Sequence, residues 1–230
     1  MNERALRTLQ DKLRDRRSRR VAFLSHCLLN ENVRYLGGAC RPGCVETIVD
    51  RLRDEGIGMC QMPCPEQRAW GGVLKRHLLP FLAAGGTPGY RWRRRLVPLM
   101  VAYTRTIFRR LARGVVRDVE DYVRSGFEVT ALVGIDGSPS CGVHATLDMR
   151  RSLDAMASCP LATLDRRFMN DVVVAGSLAP GHGLFMQALR RRLRRRGLAV
   201  PFQAHSLIAE LETESAALDG DSRTARPEPR

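Results

Sequence analysis

The chain has 230 residues, of which 44% are hydrophobic, and this is enough for one hydrophobic core. No stretch approaches the ~18 consecutive apolar residues of a membrane-spanning helix, and the arginine-rich amino terminus lacks the apolar core of a signal peptide. We therefore expect a cytoplasmic protein without a membrane span. In that reducing compartment, the seven cysteines are free thiols or metal ligands rather than a disulfide framework.

The formal net charge is +14, the isoelectric point is near 10.6, and arginine supplies most of the positive charge. Such a charge favours nucleic acid, RNA in particular, as a partner. Arginines cluster at 91–95, around Trp92, and again at 190–196. A solvated surface of arginine-biased composition is an equally open interpretation, because the aromatic residues that stack on bases are only 6% of the chain.

The first element is a basic arm over residues 1–20, whose leucines have helical spacing. The apolar run Val21–Leu24 follows and predicts a strand buried on both faces of a sheet. This strand leads to a turn that contains Cys27. Apolar residues at helical spacing from Val45 to Leu52 then predict a helix that ends at Gly56.

Two later apolar runs also predict buried strands that end in turns with a cysteine. Ile57–Met62 leads to Cys64, and Val129–Ile135 leads to a Gly- and Ser-rich turn with Cys141. Because the carboxyl ends of parallel strands meet at one edge of a sheet, these thiols and Cys27 are expected to converge there. Three thiolates suit a soft metal and leave one of its coordination positions open. An open position favours a catalytic rather than a structural role.

The chain between the second and third predicted strands has two parts. Trp70–Pro98 is irregular and rich in Gly and Pro, and a loop of this length is either functional or disordered. Residues 71–97 are therefore a candidate lid over the site. Apolar periodicity from Val97 to Ser125 predicts one long helix, which Gly126 ends.

The remainder of the chain continues the alternation of strands and helices. Val172–Ala175 predicts a further strand, 184–196 a helix, and 200–202 a last strand, while residues 211–230 are expected to be a disordered polar tail. The alternation predicts a doubly wound α/β fold. It has a mostly parallel sheet of about five strands, with helices on both faces, in a single domain over residues 21–210.

Three short motifs surround the three cysteines of these turns. They are Cys27-Leu28-Leu29 followed by Arg34-Tyr35-Leu36-Gly37-Gly38, then Cys64-Pro65-Glu66, and then Ser138-Pro139-Ser140-Cys141-Gly142. In this order they resemble the motifs of the 2-thiouracil desulfurases and their uncharacterised relatives, a family long known only as a domain of unknown function. The resemblance covers the span from Val21 to Gly142 well and the remainder loosely.

This resemblance implies a cofactor and a reaction. The cofactor is a [4Fe-4S] cluster held by Cys27, Cys64 and Cys141, with a fourth iron open to the sulfur of a thiocarbonyl substrate. The reaction is the redox-neutral, hydrolytic removal of sulfur from a small thiolated compound. A thiouracil-like base, a nucleoside and thiolated tRNA all remain open as substrates.

The chain departs from the family pattern at three places. Asn30 stands where Gly is usual, Leu36 replaces an Asp, and Gln67–Gly72 stands in place of a Leu-Pro-Thr-rich segment. All three lie where a substrate would be recognised. They bear on the identity of the substrate rather than on the cluster.

Two polar residues beside the cysteines are the candidate catalytic residues. Glu66 follows Cys64-Pro65 and can accept a proton from an attacking water, although a helix amino-terminal cap is an alternative role. Ser140 precedes Cys141 and, with Ser138, can hold the substrate. Serines in such turns more often satisfy backbone groups, and that alternative stays open.

A second cysteine pattern supports a different class of function. Cys40 and Cys44, then Cys60 and Cys64, form two C-x3-C pairs separated by fifteen residues, a spacing compatible with structural zinc. The protein would then be a nucleic-acid- or partner-binding protein. Against zinc, Cys60 lies in a predicted buried strand and Cys44 begins a predicted helix. We favour packed free thiols for Cys60 and Cys159 and leave Cys40 and Cys44 unassigned.

Overall fold

The structure is a computed structural model, and it describes residues 3–206 and 209. Its main sheet has four parallel strands in the order β2-β1-β3-β6. These strands are β1 (Arg20–Leu24), β2 (Gly58–Gln61), β3 (Glu128–Asp136) and β6 (Phe202–Ser206). Two short strands, β4 (Ala145–Leu147) and β5 (Leu178–Pro180), form a separate antiparallel pair. The expected α/β class and parallel sheet are confirmed.

The α-helices of the described residues surround this sheet. They are α1 (Glu3–Lys12), α2 (His26–Leu29), α3 (Glu46–Asp54), α4 (Pro65–Ala69), α5 (Pro88–Arg124), α6 (Met149–Ser158) and α7 (Leu184–Arg195). Crossovers between parallel strands are right-handed as a rule, which with this strand order puts α3 on one face and α5 and α7 on the other. The helices α5 and α7 pack against each other. The strand β1 is buried on both of its faces, so helices cover both sides of the sheet, as expected.

Aromatic packing joins the helices to the part of the chain that follows β2. Phe108 of α5 lies with its ring centroid 6.2 Å from that of Trp70 and 6.3 Å from that of Phe185 on α7. Trp70 also donates a hydrogen bond from Nε1 to Thr104 Oγ1, 2.9 Å away and buried. This cluster ties the turn after α4 to the middle of α5.

The prediction of a strand at Val172–Ala175 is wrong. Phe168–Val174 forms a π-helical turn, and a 3-10 turn follows over Ala175–Ser177, so the parallel sheet has four strands rather than about five. The β-branched run suggested a strand, but Val173 packs against Leu153 of α6 in a second hydrophobic cluster. Tertiary packing here overrides β-propensity.

The long helix begins earlier than its apolar periodicity indicated. It starts at Pro88, because Thr87 Oγ1 accepts the Tyr90 N–H at 3.1 Å and proline suits the first helical position. The irregular segment therefore ends at Thr87, and it includes a 3-10 turn over Leu79–Phe81. The candidate lid therefore comprises residues 71–87 rather than the predicted 71–97.

The ends of the chain are described only in part. The basic arm contains the helix α1, whereas the polar tail expected at 211–230 lies outside the described residues. Within the described ranges, no helix combines the length and apolarity that a membrane span requires.

Candidate functional site

The strand order places a crevice at the carboxyl ends of β1 and β3. The chain passes from β1 outward to β2 and then returns across β1 to β3, so the direction of winding reverses between β1 and β3. Open α/β sheets bind ligands at such a reversal, outside the carboxyl ends of the strands. A cavity of about 390 Å³ lies there, and residues that follow β1, β2 and β3 all line it.

Each of the three candidate ligand cysteines lines this cavity. Cys27 lies on α2 directly after β1, Cys64 is the amino-terminal cap of α4 after β2, and Cys141 lies in the loop after β3. The structure thus brings together the thiols that the strand-and-turn pattern expected to converge. Their role as metal ligands remains a prediction.

Burial keeps these thiols protonated in the metal-free chain. It raises the pKa of Cys27 to about 12, and it also raises the pKa of Cys64 and of Cys141. Arg34 opposes the shift at Cys27, while the neighbouring Cys64 adds to it. A bound cation reverses this balance, because a coordinating thiol is deprotonated outright.

The loop of Cys141 is folded back by the strand that precedes it. Asp136 Oδ1 accepts the N–H groups of Val143 at 2.8 Å and His144 at 2.9 Å. The Ile135 N–H donates to the Cys141 carbonyl oxygen at 3.0 Å. Burial alone would raise the Asp136 pKa, but these backbone donors hold it below its usual value. The turn therefore has a fixed shape before any ligand binds.

Glu66 connects this loop to α4 through two serines. Its Oε1 accepts a hydrogen bond from Ser140 Oγ at 2.7 Å and one from Ser138 Oγ at 3.2 Å. Ser140 Oγ also lies 3.5 Å from Cys141 Sγ. The candidate catalytic residues Glu66 and Ser140 are thus in direct contact, beside one of the three thiols.

The structure also separates the alternative roles of these residues. The cap of α4 is Cys64, whose Sγ accepts the Gln67 N–H at 3.4 Å, and the Glu66 carboxylate instead binds the serines. Ser138 has the backbone role common in turns, since its Oγ accepts the N–H groups of Ser140 at 3.2 Å and Cys141 at 3.0 Å. Ser140 Oγ is directed toward the carboxylate.

The outer wall of the cavity is apolar and was missed by sequence reasoning. It is formed by α6, by the π-helical turn and by the segment before α5. Its residues include Leu78, Leu82, Leu153, Met156, Met169 and Val173. The one available signal was the helical spacing of Met149, Leu153 and Met156 in α6.

A buried lysine, also missed from the sequence, lines the same cavity. Lys75 is 2% exposed and donates from Nζ to the carbonyl oxygens of Val33 and Val73. Its positive charge acts to lower the pKa of Cys27 and of Cys64, so it lies close to both thiols. It stands in the Gly-rich segment after α4, where no local pattern indicated a buried cation.

The other four cysteines lie away from the cavity lining. Cys60 Sγ is 3.5 Å from Tyr122 Oη on α5, and Cys159 is buried at the end of α6. Cys40 lies near Arg166, with its Sγ 3.8 Å from a guanidinium nitrogen. All seven cysteines are free thiols.

Within residues 3–206 and 209, no three His, Cys, Asp or Glu side chains are grouped closely enough to hold a single metal ion. This holds for the zinc set of Cys40, Cys44, Cys60 and Cys64 and equally for Cys27, Cys64 and Cys141, so both sets stay predictions. A cluster makes a different demand, since each thiolate binds its own iron. Cys27, Cys64 and Cys141 line one cavity, which is the arrangement that a cluster would require.

Two further observations fit such a cluster. The Ser25 hydroxyl is buried beside the Cys141 thiol and acts as a donor toward it, which lowers the pKa of Cys141 against the larger effect of burial. Lys75 is buried next to thiols that would become thiolates if they bound iron, and its charge acts to lower the pKa of Cys27.

The carboxyl-end loops depend on close backbone packing against α7. Gly183 donates its N–H to the Gly142 carbonyl oxygen at 2.9 Å, and a Cβ at this position would overlap the Ser140 carbonyl group. We expect Gly183→Ala to lower the free energy of unfolding by about 1–3 kcal/mol, measured by urea denaturation. Gly114→Ala in α5 is the control, because its Cβ would meet no atom within 4 Å. Equal stability of the two variants would contradict this packing.

The chain matches no known protein-family model, no curated protein and no solved structure.

Proposed function

We propose that the protein is a [4Fe-4S]-dependent desulfurase that removes sulfur from a small thiocarbonyl compound by redox-neutral hydrolysis. One observation carries the proposal: a single cavity is lined by Cys27, Cys64 and Cys141 and by the contacting pair Glu66 and Ser140. Three soft ligands next to a carboxylate suit a metal-assisted reaction with water. The resemblance of the motifs to those of the 2-thiouracil desulfurases supports the same reaction.

The three cysteines would hold the cluster, which when bound supplies a Lewis-acidic iron for the thiocarbonyl sulfur. The residues of the chain account for the other requirements. Glu66 accepts a proton from the attacking water, and Ser140, 2.7 Å from its Oε1, positions that water or the substrate. A thiocarbonyl and water yield a carbonyl and hydrogen sulfide, so no electron donor is needed.

The size and walls of the cavity bear on the substrate. A volume of about 390 Å³ lies in the range of small-molecule sites, roughly 300–1,000 Å³. The apolar wall of α6 and the π-helical turn suits an uncharged heterocycle more than a charged one. We therefore favour a free thiolated base, or a nucleoside whose base enters alone, over a large polar compound.

The compartment and the alternative function are also proposals. Seven free thiols persist in a reducing environment, which supports the cytoplasm. The alternative, a nucleic-acid- or partner-binding protein with structural zinc, draws its support from the spacing of Cys40, Cys44, Cys60 and Cys64 and from the arginine-rich surface. RNA remains a proposed partner because of that surface.

The cofactor is tested by isolating the protein without oxygen. We expect a brown protein with about four irons and four sulfides per chain, measured by iron and acid-labile sulfide assays and by absorption spectroscopy. A colourless protein with one tightly bound zinc would refute the cluster. If removing the metal unfolds the chain, the result supports the alternative of a binding protein with structural zinc, because structural zinc sites contribute folding energy directly.

A further inference from the structure

A stripe of exposed arginines runs along the outer face of α5. Its members are Arg91 and Arg95 before Pro98 and Arg105, Arg109 and Arg113 after it, and the helical repeat places all five on one side of the helix. At a rise of 1.5 Å per residue the stripe is about 33 Å long. The arginines of the neighbouring helix α7 extend it sideways: Arg191, Arg192 and Arg195.

No acidic residue lies on α5 or α7 within the span of these arginines. The sequence has neither Asp nor Glu between Pro88 and Arg117, nor between Leu184 and Val200. In the described part of the chain, none of the arginines of the stripe or of its α7 extension forms an ion pair. Burial, and after it the neighbouring charges of Arg113, Arg191, Arg195 and Arg109, lower the pKa of Arg192.

Aromatic side chains are exposed next to the arginines. Trp92 is 65% exposed and Tyr103 is 51% exposed, and both lie on the side of α5 adjoining the stripe. A long positive groove or stripe with aromatic platforms beside it is the footprint of single-stranded nucleic acid. The backbone follows the charge while bases stack on the rings.

The other possible occupants fit these observations less well. A second copy of the chain would bring two unneutralised arginine stripes together, which costs free energy. A membrane surface would explain Trp92 and the arginines, but Arg105, Arg109 and Arg113 continue the stripe for three turns beyond the exposed aromatic residues.

We propose that the outer face of α5 and α7 binds single-stranded nucleic acid. The surface is separate from the cavity: α7 begins against the loop of Cys141, and Arg191 lies seven residues, ~10 Å, further along that helix. It is therefore a docking surface and not part of the candidate active site. The proposal does not depend on the desulfurase reaction.

The test measures binding of the full chain to a fluorescently labelled oligouridine of about 20 nucleotides by anisotropy, at several salt concentrations. The test variant combines Arg105→Glu, Arg109→Glu and Arg113→Glu. We expect at least a tenfold loss of affinity at low salt. The slope of log K against log salt should fall by about 2, because each phosphate contact on a single strand contributes roughly 0.7.

A matched control carries the same change in net charge elsewhere, as Arg16→Glu, Arg51→Glu and Arg151→Glu. It should keep most of the affinity, and circular dichroism should show that both triple variants are folded. If the two triple variants lost affinity equally, net charge alone would explain the loss, and the proposal would be overturned. Binding to anionic lipid vesicles without binding to the oligonucleotide would also overturn it.

The aromatic platforms have a separate signature. Trp92→Ala should weaken oligouridine binding roughly five- to 150-fold with little change in the salt slope, because stacking releases no counterions. Unchanged affinity in Trp92→Ala and in Tyr103→Ala would show that bases do not stack on these two side chains. A shift from dimer to monomer in Trp92→Ala, seen by sedimentation, would instead assign this face to a second copy of the chain.

Discussion

Glu66→Gln should lower the turnover of a thiocarbonyl substrate by roughly two to four decades while the cluster stays in place. The amide oxygen of glutamine can still accept hydrogen bonds from Ser140 Oγ and Ser138 Oγ, so the shape of the site is kept. What is lost is the carboxylate that takes the proton from water. Sulfide release from thiouracil or a thiolated nucleoside, measured without oxygen, gives the turnover, and iron content gives the cluster.

The control for this variant is Glu120→Gln. Glu120 is a largely buried carboxylate on α5 that pairs with Arg124 at 2.7 Å and Arg196 at 2.9 Å, and it does not line the cavity. The same chemical change there should leave turnover unaltered. Full activity in Glu66→Gln would contradict a general-base role and reassign Glu66 to holding the turn of Ser138 and Ser140. Loss of iron in this variant would assign it to cluster binding instead.

The second large effect separates the cysteines by role. Cys27→Ala, Cys64→Ala and Cys141→Ala should each remove most of the iron and sulfide, because three thiolates are the whole protein ligand set of the proposed cluster. Cys60→Ala and Cys159→Ala should keep the cluster and cost only about 1 kcal/mol of stability for lost packing. Absorption spectra and iron assays of all five variants, purified without oxygen, test this.

The zinc alternative makes the opposite prediction. If Cys40→Ala and Cys44→Ala empty the metal site while Cys27→Ala does not, the two C-x3-C pairs are the ligands. The folded state of each variant is checked by circular dichroism, since a structural metal contributes to folding and a catalytic one need not. Loss of metal together with loss of structure would favour the binding-protein alternative.

The sequence by itself determined the class of fold and the position of the thiols. Continuous apolar runs such as Val21–Leu24 and Val129–Ile135 are local signals of strands buried on both faces, and these strands are confirmed. Each run stops at a turn, and a parallel sheet brings those turns to one edge. Placing Cys27, Cys64 and Cys141 together therefore required only the strand-and-turn pattern.

Two segments carry ambiguous local signals, and tertiary packing decided one of them while a helix cap decided the other. The β-branched run at Val172–Ala175 reads as a strand, yet it is helical because Val173 is buried against α6. The early start of α5 depends on the Thr87 cap and Pro88, within a segment whose Gly and Pro content indicated a loop. In both places the local composition is compatible with more than one conformation. The packing of Val173 selects one at the first place, and the local cap at Thr87 selects one at the second.

The tertiary structure alone decided how the site is assembled. Glu66 and Ser140 are 74 residues apart, and only the folding of the loop after β3 against α4 places their oxygens 2.7 Å from each other. The buried Lys75 beside the thiols and the apolar wall of α6 come from segments with no local functional signal. The physical reason is that hydrogen bonds and burial between distant segments depend on topology, which periodicity and composition within a short window do not record.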